Sequence, residues 1–166
     1  MLLLARKLIQ GTNMRLRLHF LIFCLWGALA ACSVTPLLDA KPFYPNETPE
    51  IRRLIVHYAN FYELPVDLVE RVVIRESSHR PKARNGPYYG LMQILPATAK
   101  SMGYKGPAEG LLDAETNLKF AGKYLKGAYL VANGNSDRAI KLYAKGYYYE
   151  AKAAGLLVET SQRPTP

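Results

Sequence analysis

Glu76 is the side chain whose setting asks for chemistry. Two valines and an isoleucine precede it in "RVVIRESSHRPKARNGPYYGLMQ" (Arg71–Gln93). On a helix it shares a face with Val72 and Val73, three and four residues back. Those residues face a core, so the carboxylate starts partly desolvated, and burial penalises its charged form. A carboxyl that holds its proton near neutral pH can donate it to a leaving oxygen. The competing reading is a glutamate at a fraying helix end, paired with Arg75, Arg80 or a nearby lysine. The pattern alone leaves both open.

Conventional glycoside hydrolysis needs a second carboxylate facing the first. Glu70, six residues back, lies about 240° round the helix and faces elsewhere. Glu63 and Asp67 are further off, and Asp113, Glu115 and Asp137 are placed to cap helices. Other chemistries fare worse. His57 and His79 are too far apart for a helical zinc pair, and no HExxH occurs. Gly86 and Gly90 make neither GxGxxG nor GxxxxGK[ST]. Ser77 has no lysine or histidine placed beside it to suggest a nucleophilic triad. No metal and no cofactor are therefore expected. Tyrosines cluster at Tyr88–Tyr89 and Tyr147–Tyr149. Such clusters are more often core, yet tyrosines in loops near an acid can stack on sugar faces.

The elements that must position Glu76 read as helices. Pro49 suits a first helical position, followed by Ile51, Leu54, Ile55, Tyr58 and Tyr62 at helical spacing. Pro65 opens a second helix with Leu68, Val69, Val72 and Val73 on one face, and Pro81 forbids its continuation. A short helix fits Ala97–Met102, stopped by Gly103. Asp113 can cap a longer helix bearing Leu118, Ala121, Leu125 and Tyr129, closed by Gly134. Ser136 can cap the next, through Ile140 and Tyr143, and a last short helix fits Tyr148–Ala154. No segment alternates with period two for long enough to argue a sheet. The expected fold class is mainly all-α, with loops around Arg80–Tyr89 and Tyr104–Leu112.

The 166 residues suffice for one domain and fall short of two. At 49% hydrophobic and 21% charged the chain reads as globular. The net charge of +9 is unevenly placed: Arg6, Lys7, Arg15 and Arg17 precede an apolar run, leaving 18 of the 22 basic side chains against all 13 acidic ones. Those 18 are scattered instead of forming one stripe, which argues against nucleic acid as a partner. Phe20–Ala31 is too short to span a bilayer comfortably and follows Arg15 and Arg17, the build of a secretory leader. Met14 is an alternative start. Ser33–Thr48 carries Pro36, Pro42 and Pro45 and reads as an extended tether. The expected organisation is a leader over 1–31, a tether over 32–48, a domain over 49–158 and a frayed tail over 159–166.

The leader ends in "LAAC" (Leu29–Cys32), which resembles the lipobox of bacterial lipoproteins. That resemblance implies cleavage and diacylation at Cys32, with Ser33 favouring the outer membrane and a body facing the periplasm of a Gram-negative cell. With Cys32 acylated the folded body has no thiol, hence no disulfide and no thiol nucleophile.

"ESSHRPKA" (Glu76–Ala83), "GLMQILPATA" (Gly90–Ala99), "DAETNLKFAGKYL" (Asp113–Leu125) and "LYAKG" (Leu142–Gly146) together resemble the four blocks of lytic transglycosylases related to goose-type lysozyme. They cover about 70 residues in the expected order. The resemblance implies a lysozyme-like fold and peptidoglycan glycan strands as substrate. It implies Glu76 as a lone acid/base and Ser77 near the substrate's N-acetyl group or the acid. Gly90, Leu91, Met92 and Gln93 would line the cleft, with Gln93 touching sugar; Asn117 would be structural, and Tyr143 would lie near the glutamate. The implied reaction closes the sugar's own C6 hydroxyl onto its anomeric carbon, giving a 1,6-anhydro end. Three positions depart from the family's pattern: Pro87–Tyr88, Ala144 and Ala121. The rival readings are a hydrolytic muramidase on the same fold and a catalytically weak wall-binding lipoprotein.

Cys32→Ala should abolish incorporation of a fatty-acid analogue and leave unlipidated protein. Undiminished label in the variant would remove the anchor.

Overall fold

The computed structural model describes residues 43–162. The leader, Cys32 and residues 33–42 of the tether lie outside the described residues, as do 163–166. The described chain is mainly helical, as its periodicity predicts. Helix α1 (Pro49–Phe61) starts at Thr48, whose hydroxyl accepts from the Ile51 amide at 3.2 Å. Helix α2 (Val66–Ser77) buries Leu68, Val69, Val72 and Val73. Then come a two-stranded hairpin, β1 (Arg84–Asn85) and β2 (Tyr88–Tyr89), α3 (Pro96–Ser101) and a 3-10 turn (Ala108–Leu112). Helix α4 (Ala114–Val131) is capped by Asp113, whose carboxylate accepts from the Thr116 amide at 2.8 Å. Helices α5 (Ser136–Lys145) and α6 (Tyr148–Ala153) complete the described chain.

Helix α4 is the axle. It packs against α1, α3, α5 and the 3-10 turn, while α2 touches α1 and α5. Leu118, Ala121, Leu125 and Ala128 are wholly buried along it. Each such leucine contributes about 1.5–3 kcal/mol by leaving water. Gly127 lets the Tyr147 ring approach the helix: a Cβ there would collide with the tyrosine hydroxyl, which donates to the Tyr124 carbonyl at 2.9 Å.

Asn117, on the same helix, is wholly buried and spends its carboxamide on three backbone groups. Its Oδ1 accepts from the Met92 amide at 2.8 Å, and its Nδ2 donates to the carbonyls of Tyr89 and Leu111, each at 2.8 Å. The loop after β2 is thereby fastened to α4 and to the 3-10 turn. Gly90 makes room for this: its φ is +77°, and a Cβ would strike the Asn117 amide and the Leu111 carbonyl.

Five local features differ from the sequence reading. Asn135, not Ser136, caps α5, because its Oδ1 accepts from the Arg138 amide at 2.9 Å and Ser136 is already helical. Helix α2 stops before Pro81 can act, since Ser78 (φ 49°) and His79 (φ 60°) turn left-handed. That conformation costs roughly 1–3 kcal/mol per non-glycine residue and needs external support. Asn46 donates to the Ser78 carbonyl at 3.1 Å, and Tyr44 stacks on the His79 ring at 5.6 Å between centroids. The hairpin is the third feature: its two-residue loop puts Gly86 at φ 56°, and the Asn85–Gly86 pair is a turn signal.

Fourth, the end of the expected tether belongs to the domain. The Glu47 carboxylate accepts from Arg52 Nε at 2.8 Å and from the Tyr44 amide at 2.9 Å, and both members of the ion pair are buried. Bonding to Arg52 holds this carboxyl below its ordinary range, with the Tyr44 amide adding to the effect. Fifth, Glu159–Gln162 does not fray. Thr160 is buried, and its amide and those of Ser161 and Gln162 bond back to Leu156, Val158 and Leu157.

Asn117→Ala would leave one amide and two carbonyls without partners. At roughly 1–3 kcal/mol per buried group, it should destabilise the domain by at least about 3 kcal/mol, read as a lower urea midpoint at unchanged slope. A loss below about 1 kcal/mol would mean that the loop supports itself.

Candidate active site

Glu76 lies in the last turn of α2, with Ser77 between it and the left-handed pair. Val72 and Val73 on its face are in the core, and its own side chain keeps 23% of its surface. Burial pushes its carboxyl above the ordinary 4.5, opposed in part by the Arg75 guanidinium at 3.5 Å. Desolvation wins because the Arg75 side chain is half exposed, and water screens its charge.

The carboxylate opens into a cleft of about 330 Å³ lined by Arg75, Asn85, Tyr88, Gln93, Tyr143 and Ala144. A second hollow of about 200 Å³ adjoins it, sharing Tyr88, Gln93, Tyr143 and Ala144 and adding Tyr124 and Lys145. Together they make a groove with tyrosine walls and a single carboxylate, Glu76, among the described lining residues. The other acids are occupied or elsewhere. Glu47 pairs with Arg52, Asp137 with Arg71, Glu63 with Lys126 and Glu150 with Lys145. Glu115 accepts from the Tyr58 hydroxyl at 3.2 Å.

The structure brings together three of the expected site residues: Glu76, Gln93 and Tyr143. Gln93 reaches its place through a left-handed backbone (φ 49°), pinned by its Nε2 donating to the Gly90 carbonyl at 2.8 Å and to Ala83 at 3.2 Å. Its Oε1 is buried and lacks a hydrogen-bond partner. Tyr143 donates its hydroxyl proton to the Met92 carbonyl at 2.7 Å. Burial, and then the Glu76 charge, hold this phenol well above its ordinary pKa, so it stays protonated. Its oxygen is left as an acceptor in the cleft beside Glu76.

Leu91 and Met92 are wholly buried, so their side chains fill the core and do not line the groove. Both residues lie in a turn, and Met92 uses both its amide and its carbonyl internally. Gly90 serves the Asn117 clamp. Ser77 is buried, donates to the Val73 carbonyl at 3.2 Å and is not among the lining residues. The sequence reading missed Arg75, Asn85 and Tyr124. The turn signal at Asn85–Gly86 was the cue for Asn85, since strand register pairs it with Tyr88 on the same face.

Residues 53–156 match the family model for the transglycosylase SLT domain. No solved structure matches the chain.

The Glu76 carboxyl should titrate above 4.5 when followed by NMR, and Arg75→Gln, which removes the opposing charge, should raise it further. A raised acid favours the folded state below the unfolded-state pKa and loses that contribution as pH rises through the folded one. Glu76→Gln should therefore gain stability over the parent as pH climbs through that window. A midpoint at or below 4.5 would place the carboxylate in water.

Proposed function

The chain belongs to the transglycosylase SLT domain family, lytic transglycosylases with a lysozyme-like helical fold that act on peptidoglycan, and we propose that Glu76 is its lone acid/base. The observation that carries the reading is a desolvated carboxyl standing without a second carboxylate among the described residues of a tyrosine-walled groove.

In this proposal the protonated Glu76 donates to the oxygen joining N-acetylmuramic acid to N-acetylglucosamine as the anomeric C–O bond breaks. The substrate's own C6 hydroxyl then closes onto the anomeric carbon, and its proton returns to the Glu76 carboxylate. A 1,6-anhydro end forms, no water is consumed and the enzyme is regenerated. The intramolecular hydroxyl carries a large effective concentration against bulk water. Raised basicity suits both halves of the cycle, because the group gives and then takes one proton near its own pKa. Tyr143 orients the acid or the sugar through its free acceptor, and Gln93, fixed by its two bonds to backbone carbonyls, shapes the cleft wall beside it. Tyr88 and Tyr124 supply ring faces for the glycan. The Cys32 anchor would hold this domain at the outer membrane, facing periplasmic peptidoglycan.

Ala144 and Pro87 favour a second reading, a wall-binding lipoprotein with little turnover, because Ala144 lines the groove without a polar group. Incubation with murein sacculi separates the two, since a binder releases no soluble muropeptides. For an enzyme, Glu76→Gln should lower turnover by at least about 10²-fold, the low end for general acid–base catalysis. Digestion in ¹⁸O-water should leave the new ends unlabelled and lighter by one water, about 18 Da, than hydrolysis products, as intramolecular closure requires. Predominantly labelled reducing ends would convert the assignment to a hydrolytic muramidase.

A further inference from the structure

The hairpin beside Glu76 has two faces, and the reaction uses one. Register pairs Asn85 with Tyr88 and Arg84 with Tyr89. Both members of the first pair line the cleft. Arg84, from the second, lines a separate cavity of about 650 Å³, larger than the cleft. Its guanidinium lies 4.5 Å from the Tyr89 ring centroid and donates to the Tyr89 hydroxyl at 2.7 Å, which fixes its direction and leaves other N–H groups unspent.

Three cations line this cavity within five residues: Arg80, Lys82 and Arg84. Arg80 is tied at one nitrogen, its Nε donating to the Ser77 carbonyl at 2.9 Å. Lys82 makes no close ion pair among the described residues, though its charge reaches the Asp113 carboxylate and helps to lower that group's pKa. Across from them stand Asn46, Thr48 and one carboxylate, Glu50. His79 forms part of the wall. It is 1% exposed, with its ring stacked on Tyr44 and the Pro45 carbonyl nearby.

We propose that this cavity binds the carboxylates of a peptide stem branching from the glycan held in the cleft. The inference rests on the peptidoglycan reading and adds a site to it. Peptidoglycan stems carry free carboxylates, and many also carry an amine. Three cations, with Glu50 in the lining and Asp113 within reach of Lys82, complement that mixed charge better than they complement a uniform polyanion. A concave site suits a short peptide, whereas an anionic membrane asks for a flat basic surface. Consecutive residues of one strand line the two sites, Arg84 the cavity and Asn85 the cleft, so a glycan in the cleft brings its branch point close to the cavity.

The test uses the full chain in detergent and two soluble probes: a stem tripeptide with free carboxylates and the same peptide with every carboxylate amidated. Amide chemical shifts should move saturably at residues 79–84 with the free acid and stay still with the amidated form. Lys82→Glu should weaken free-acid binding by about tenfold or more, the worth of one charge contact. The milder Lys82→Gln should weaken it less, with unchanged thermal melting as the folding control. Cleavage of stem-free glycan strands should be unaffected in both variants. Equal binding of the amidated probe, shifts confined to residues 88–93, or no saturable shift would overturn the site. So would preferential binding of phosphatidylglycerol vesicles through Lys82, which would reassign the patch to a membrane. Failure of the parent chain to cleave stem-free strands would count against the enzymatic reading alone, since the peptide titration is read without turnover.

Discussion

One carboxamide holds the groove open. Asn117 binds the backbone at Tyr89, Met92 and Leu111 from a position inside α4, where water cannot substitute for any of the three bonds. The loop it fastens carries Gln93 directly and positions the carbonyl that accepts from Tyr143. The hairpin joins the same network through β2. A helix that is itself locked into the core thus transmits its rigidity to the irregular backbone facing Glu76. That arrangement suits catalysis, because a reacting group gains most when its neighbours need no reorganisation.

Glu76 sits on the other support, at the end of α2. The balance around it is between a buried valine face, which favours the neutral acid, and a half-exposed arginine, which favours the anion. Neither term is extreme, which leaves the group able to change charge. After one more helical residue, Ser77, the chain enters two left-handed residues, and the segment before α1 braces that turn through Asn46 and Tyr44. The Glu47–Arg52 pair in turn keeps that segment in place. The far end of the helix that bears Glu76 therefore depends on residues some thirty positions earlier.

Much of this was legible in the sequence, for stated reasons. The helices announced themselves because their buried residues recur at helical spacing and their ends carry proline, aspartate or glycine. Glu76 stood out because an acid had been placed on an apolar face. What escaped was governed by contacts across the chain. Nothing local says that Leu91 and Met92 point inward, since a four-residue loop has no period to read. The left-handed Ser78 and His79 carry no glycine to mark them. The packing of Glu47 and Thr160 depends on partners that linear pattern does not pair. The hairpin alone had a readable local cue in Asn85–Gly86, hidden by strands of only two residues.

The hairpin's brevity also limits how the protein can change. Alternation along two-residue strands assigns Asn85 and Tyr88 to the cleft and Arg84 and Tyr89 to the opposite side. Inserting or deleting one residue at Gly86–Pro87 would shift the register by one and exchange those faces. A guanidinium would then point toward Glu76, and the arginine–tyrosine brace would be lost. Pro87 is thus open to evolutionary drift, while Gly86 is held by its positive φ and the loop's length is closed.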